Sequence, residues 1–152
     1  MVRISTYTLK LDSVDRRATL VKETTHEYNV SGVIDTPDKA AQLFEAVFDL
    51  SKCAQEYFVM ATLNGARRVT SVMLVSVGTL SSSLVHPREV FIRALQMQAS
   101  SIIICHNHPS GQLDISAQDR EVSDRIRQVG DLVGIACDDH IICGGGSFVS
   151  AM

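Results

Sequence analysis

The sequence predicts an α/β sandwich built around a mixed sheet, and three observations carry that expectation. Helical and strand-like segments alternate in the order strands, helix, hairpin, helix, strand, helix, strands, a layered α/β pattern. Two helix candidates open on proline, at Thr36-Pro37 and His86-Pro87; proline suits the first helical position because its missing N–H has no partner to lose. Finally, Ile102-Ile103-Ile104-Cys105 is too short for a helix and too apolar for a surface, so a central strand fits. The 152 residues are expected to form one domain, with an N-terminal extension over 1–34 and the main body over 35–152.

Taken in order, Thr6 to Val14 alternates weakly and suggests an edge strand. Val21 to Val30 suggests a second, with the charged Asp12 to Arg17 stretch as the turn between them. Thr36 can cap a helix, and Ala40, Leu43, Phe44, Val47, Phe48 and Leu50 then recur at helical spacing, predicting a helix from Pro37 to about Leu50. Glu56 to Leu63 reads as a mostly buried strand. Asn64-Gly65 follows, a dipeptide suited to a two-residue hairpin because both positions tolerate positive φ. Arg67 to Val77 is the partner strand, and Gly78 ends it. His86 and Pro87 start a helix that runs to about Ser100. Ser116 opens another, with Val122, Ile126 and Val129 on one face and Gly130 as its stop. Leu132 to Cys137, His140 to Cys143 and Phe148 to Ser150 are expected to close the sheet. Gly144-Gly145-Gly146 is a tight turn; it lacks the Lys-Ser/Thr and the following helix of a phosphate loop.

Composition narrows the function classes. The apolar fraction of 45% suits a folded domain rather than a disordered chain. A chain of this size buries roughly 70% of the surface exposed when unfolded, so it needs no covalent staple. No apolar run approaches the roughly 20 residues of a membrane span, and the first residues lack a signal-peptide pattern, so a cytoplasmic location is expected. Cys53, Cys105, Cys137 and Cys143 form no Cys-x-x-Cys pair, which argues for buried free thiols rather than a zinc finger. The net charge of −3 argues against a broad nucleic-acid-binding face.

The segment His106-Asn107-His108-Pro109-Ser110-Gly111, followed by Ser116 and Asp119, concentrates the chemistry. Histidines two apart at a strand end share a face, which places two imidazoles where one metal ion can reach both. Asp119 is the natural third ligand, and a hydrolytic zinc keeps its fourth position for water. Such a site needs a carboxylate nearby to move protons. Glu56, at the start of a buried strand, suits that role. Ser116 could steady an oxyanion or orient Glu56 or the water. Ser116-x-x-Asp119 is also a helix-start pattern, and both roles are compatible. His140, beside Asp138 and Asp139, is expected to pack or hydrogen-bond structurally, and His86 to cap a helix. A Cys105–His106 nucleophile pair is excluded because adjacent strand residues face opposite ways.

His106-x-His108, seven residues, then Ser116-x-x-Asp119 resembles the JAMM (MPN-type) metalloprotease motif, and His-Asn-His-Pro-Ser-Gly narrows the resemblance to its RadC-like branch. Gly78-Thr79-Leu80, His86 to Phe91 and Asp139-His140-Ile141-Ile142 look like that branch too, so the similarity runs from about Asp35 to Ser150. The resemblance implies a cytidine-deaminase-like α-β-α fold (a JAB/MPN domain) and a zinc-dependent peptidase or isopeptidase acting on a protein or peptide. It implies His106, His108 and Asp119 as Zn2+ ligands, Glu56 as general base and acid, and Ser116 as the oxyanion helper. There are two departures. The N-terminal segment is too short for the helix-hairpin-helix region of longer members, and the loop Gln112 to Ile115 lacks a second proline common in the branch. The alternative reading is a DNA-repair-associated accessory module with a structural or vestigial metal site, an association that rests on the family's name. A zinc nucleobase deaminase is set aside, because its Pro-Cys-x-x-Cys ligands are missing.

Overall fold

The computed structural model describes residues 1–78 and 85–152. Of the segments resembling the RadC-like branch, Thr79 and Leu80 lie outside the described residues. Among the described residues seven strands form one mixed sheet: β1 (Val2–Leu11), β2 (Ala18–Tyr28), β3 (Tyr57–Leu63), β4 (Val69–Val77), β5 (Ser101–Asn107), β6 (Ala136–Gly144) and β7 (Ser147–Ser150). Their order is β2-β1-β4-β3-β5-β6-β7. The β1–β4 and β5–β6 pairs are parallel and the others antiparallel. The described residues also form three α-helices that cover it: α1 (Pro37–Phe48), α2 (Pro87–Gln96) and α3 (Ala117–Val133). Among the described residues no helix is long and apolar enough to cross a membrane.

Strand alternation divides the core in two. Leu43 and Phe44 of α1 pack with Val59, Ala61, Leu63, Ile103, Cys105 and Ile141 on one face. On the other, Val90 and Phe91 of α2 and Val122 and Ile126 of α3 pack with Met60, Ile102 and Ile104. Even-numbered residues of β5 therefore face α2 and α3, and odd-numbered ones face α1. The expected sandwich around a mixed sheet is the α-β-α arrangement observed.

Helix starts follow the local chemistry. The Thr36 hydroxyl accepts from the Lys39 amide, and His86 Nδ1 accepts from the Arg88 amide at 3.1 Å. Helix ends differ from expectation. α1 stops at Phe48 because Asp49 adopts φ +54° and caps it, with Leu50–Lys52 forming a separate 3-10 turn. α2 stops at Gln96, short of Ser100. α3 runs past Gly130 and ends at Gly134, whose φ of +78° is the left-handed cap. Leu132 is thus helical rather than strand, and Ala136 to Gly144 is one continuous strand where two were expected.

The β3–β4 connection also differs. Gly65 does not take positive φ; Arg67 does, at +58°. The Asn64 Oδ1 accepts from the Ala66 and Arg68 amides, each at 3.0 Å, and so organises a longer loop. The two-residue turn with two positive φ values lies instead at Gly145 (+58°) and Gly146 (+78°), between β6 and β7.

Gly130 serves packing rather than termination. A Cβ there would lie 2.4 Å from the Ile135 carbonyl oxygen and 3.3 Å from Phe91 Cζ. Gly130→Ala gains about 1 kcal/mol of helix propensity. Overpacking against an immovable carbonyl costs about 1–3 kcal/mol or more. With so short a contact the clash dominates, so a urea titration should show a net loss of up to about 2 kcal/mol; a stabilised variant would refute this reading of the close contact.

Candidate metal centre

β5 delivers the first histidine. His106 continues the Ile102, Ile104 face, lies fully buried, and stacks on Phe58 with ring centroids 6.4 Å apart. His108, just beyond the strand, shares that face. Its amide donates to the Cys143 carbonyl at 2.7 Å, tying the turn to β6. Asp119 arrives in the first turn of α3. The Ser116 hydroxyl accepts from the Asp119 amide at 3.0 Å, and an Asp119 carboxylate oxygen accepts from the Ser116 amide at 2.8 Å. This reciprocal capping box orients the carboxylate towards the histidines.

The three groups converge. His106 Nε2 is 3.0 Å from His108 Nε2 and 3.1 Å from Asp119 Oδ1, and His108 Nε2 is 3.5 Å from Asp119 Oδ2. Donors about 2.0–2.1 Å from a tetrahedral ion such as zinc sit about 3.3 Å from one another. The separations observed are of that order, with the two histidines meeting different oxygens of the Asp119 carboxylate, and these residues could hold a metal ion.

The hydrogen-bond pattern favours the same conclusion. His108 Nδ1 lies 2.9 Å from the Gln112 carbonyl oxygen, which can only accept, so Nδ1 carries the proton and Nε2 presents a lone pair. His106 Nδ1 lies 2.8 Å from His140 Nε2, and His140 Nδ1 contacts the Ser123 hydroxyl. With protons on both Nδ1 atoms, His106 donates to His140 and His140 donates to Ser123, leaving His106 Nε2 free to ligate. Two lone pairs and a carboxylate then face each other, an arrangement that repels unless a cation joins them. Burial pushes the pKa of His140 down to about 3, so His140 is neutral in this chain of hydrogen bonds. Burial by itself would raise Asp119. His106 Nε2, through a proton that an ion bound there would displace, and the Ser116 amide both donate to it; these hydrogen bonds outweigh burial and hold this carboxyl well below the ordinary range.

Glu56, remote in sequence, is brought to the same place. β3 and β5 pair antiparallel with Phe58 opposite His106. Extending that register by two residues sets Glu56 opposite His108, and on the same face. Glu56, His108, Ser116 and Asp119 line one open cavity of about 260 Å³. Four of the five residues expected to form the site therefore line one space, and the fifth, His106, lies 3.1 Å from Asp119.

Sequence reasoning missed Asn107. It points to the other face and is buried. Its Oδ1 accepts from the Tyr57 amide at 2.6 Å, and its Nδ2 donates to the Gln55 carbonyl at 3.0 Å. It thereby clamps the backbone on either side of Glu56. The available signal was an amide between two same-face histidines, forced inward and in need of buried partners. His140 makes structural hydrogen bonds, as expected, but its partner is a candidate ligand. Asp138 and Asp139 do not join the centre: Asp138 accepts from the Ser101 hydroxyl at 2.7 Å and Asp139 from the Ser150 hydroxyl at 2.6 Å. Cys105 lies in the α1-side core, away from His106, with its sulfur 3.6 Å from that of Cys143, and burial pushes its thiol well up.

Comparison with known proteins bears on this geometry. The sequence model of the RadC-like JAB domain family matches residues 34–152. A UPF0758 protein of Rubrobacter xylanophilus is 49% identical over 94 residues, 62% of this chain and 41% of that protein. UPF0758 proteins of Shouchella clausii and Clostridium tetani are each 44% identical, over 80% and 77% of this chain and 52% and 50% of their own lengths. The chain spans about half the length of these curated relatives.

Proposed function

Because the chain belongs to the RadC-like JAB domain family, we propose that it is a zinc-dependent metallopeptidase or isopeptidase. The observation that carries this reading is one cavity lined by His108, Asp119, Glu56 and Ser116, with His106 buried behind it. In this reading His106, His108 and Asp119 hold the ion. Zinc held by three protein ligands supplies a water made acidic near neutral pH and polarises a carbonyl.

The remaining work falls to the chain's own residues. Glu56 takes the proton of the attacking water and delivers it to the leaving amine nitrogen. The capping box uses the Ser116 oxygen as an acceptor, which leaves its hydrogen to donate to the carbonyl oxygen as negative charge develops there. Asn107 holds the Gln55–Tyr57 backbone so that Glu56 stays opposite His108. His140 and Ser123 keep His106 in the tautomer that leaves Nε2 unprotonated.

Zinc-loaded protein incubated with a panel of linear and lysine-branched peptides should release new amines, and a chelator should stop the release. A protein that takes up one zinc per chain yet cleaves none of the panel would speak for the accessory role, especially if it binds DNA in a salt-dependent way that survives Glu56→Ala.

A further inference from the structure

A second and larger cavity, of about 700 Å³, opens on the other side of His108 and Pro109. One wall is a single face of α1. Asp38, Ala41, Gln42 and Glu45 fall at helical spacings of three and four and all line it. The opposite wall is the glycine turn between β6 and β7, and Val30, Leu50 and Phe148 give the interior an apolar surface. The described lining includes two carboxylates and no Lys or Arg. Asp38 accepts from the Gln42 side chain at 2.6 Å, and Glu45 accepts from the Ser51 hydroxyl at 2.6 Å. Neither carboxylate has a Lys or Arg within 4.0 Å among the described residues. Their negative charge is therefore hydrogen-bonded but not neutralised.

We infer that this cavity receives a side chain of the substrate peptide next to the bond presented at His108, and that it selects a basic one, Lys or Arg. Such a side chain matches both properties of the space: an aliphatic stem for the apolar surface and a cationic head for Asp38 and Glu45. A peptide is the occupant because His108 and Pro109 line both this cavity and the one at the metal centre, so a chain lying across them borders both. The assignment of a substrate rests on the hydrolase reading above. The preference for a cation rests on the cavity itself.

Binding can be measured without turnover. Fluorescein-labelled Gly-Gly-Xaa-Gly-Gly peptides with Lys, Arg, norleucine or Glu at the centre would be titrated against the Glu56→Gln chain, zinc-loaded and metal-free, by fluorescence polarisation. The Lys or Arg peptide should bind about 5- to 10-fold more tightly than the norleucine one, the size of two partly exposed charge contacts, and the Glu peptide most weakly. The double variant Asp38→Asn, Glu45→Gln should erase that preference; the two single variants serve if the double variant does not fold. Equal binding of all four peptides, or a basic preference that survives the substitutions, overturns the assignment. A basic preference in a chain that hydrolyses nothing overturns only the hydrolase reading. Hydrolysis with no basic preference overturns only this one.

Discussion

Glu56→Gln is expected to lower hydrolysis by about 10²- to 10⁴-fold, the usual contribution of a positioned general base, while zinc content stays at one ion per chain. Glutamine keeps the size of the side chain and can still accept a hydrogen bond, but it cannot take up a proton at neutral pH. The substitution therefore separates proton transfer from metal binding. Glu56 lines the cavity with His108, Ser116 and Asp119, and its backbone carbonyl accepts from the Gly78 amide at 2.8 Å, a contact the variant retains. Parallel measurement of the rate and of bound zinc by atomic emission decides the point. A variant with full activity would remove Glu56 from the mechanism. One that loses zinc as well would make it a ligand or a structural support instead.

His106→Ala should act on the other half of the machinery. Losing a partner of a ligand typically costs 10- to 100-fold in metal affinity, so loss of a ligand itself should cost more than about 100-fold. Stability supplies an independent readout. Free zinc at about 1,000 times its dissociation constant should stabilise the wild-type fold by about 4 kcal/mol, visible as a shift in the urea midpoint. In His106→Ala that shift should fall to about 1.4 kcal/mol or less at the same zinc concentration. The zinc-free variant should also be less stable than the zinc-free wild type, because a buried ring packed on Phe58 is lost and His140 Nε2 is left without its partner. Wild-type protein that shows no zinc-dependent shift, or a variant that keeps the shift in full, would sink the ligand assignment.

Part of this site was legible because it is local. His106, His108, Ser116 and Asp119 lie within fourteen residues, on a strand end, a turn and a helix cap whose geometries are set by neighbouring atoms. Period-two alternation fixes the common face of the histidines, and the capping box fixes the carboxylate. The mixed sheet and the helices were legible for a similar reason, since a buried strand such as β5 carries an unbroken apolar run from Ile102 to Cys105. The first two strands read weakly: β1, expected at an edge, lies between β2 and β4, and the edge strand β2 is largely exposed on both faces, so water imposes no alternation on it.

The misread ends have physical causes as well. Gly130 looked like a helix stop because glycine favours the left-handed cap; here the close approach of Ile135 and Phe91 demands the missing Cβ, and Gly134 caps the helix. Asn64-Gly65 looked like a two-residue hairpin, but the Asn64 side chain bonds the amides of Ala66 and Arg68 and builds a longer loop.

By itself, the sequence determined the layered α/β fold and the local donor set, because both depend on contacts a few residues apart. Only the tertiary structure decided what stands around that set. The β3–β5 pairing, with Phe58 opposite His106, brought Glu56 to a cavity it shares with His108 across about fifty residues of chain, and Asn107 holds the backbone on either side of it. The β5–β6 pairing brought His140 to His106, and α1 set two carboxylates along the neighbouring cavity. These placements depend on which strands pair and in what register, a choice made by the burial of the whole sheet and carried by no single segment.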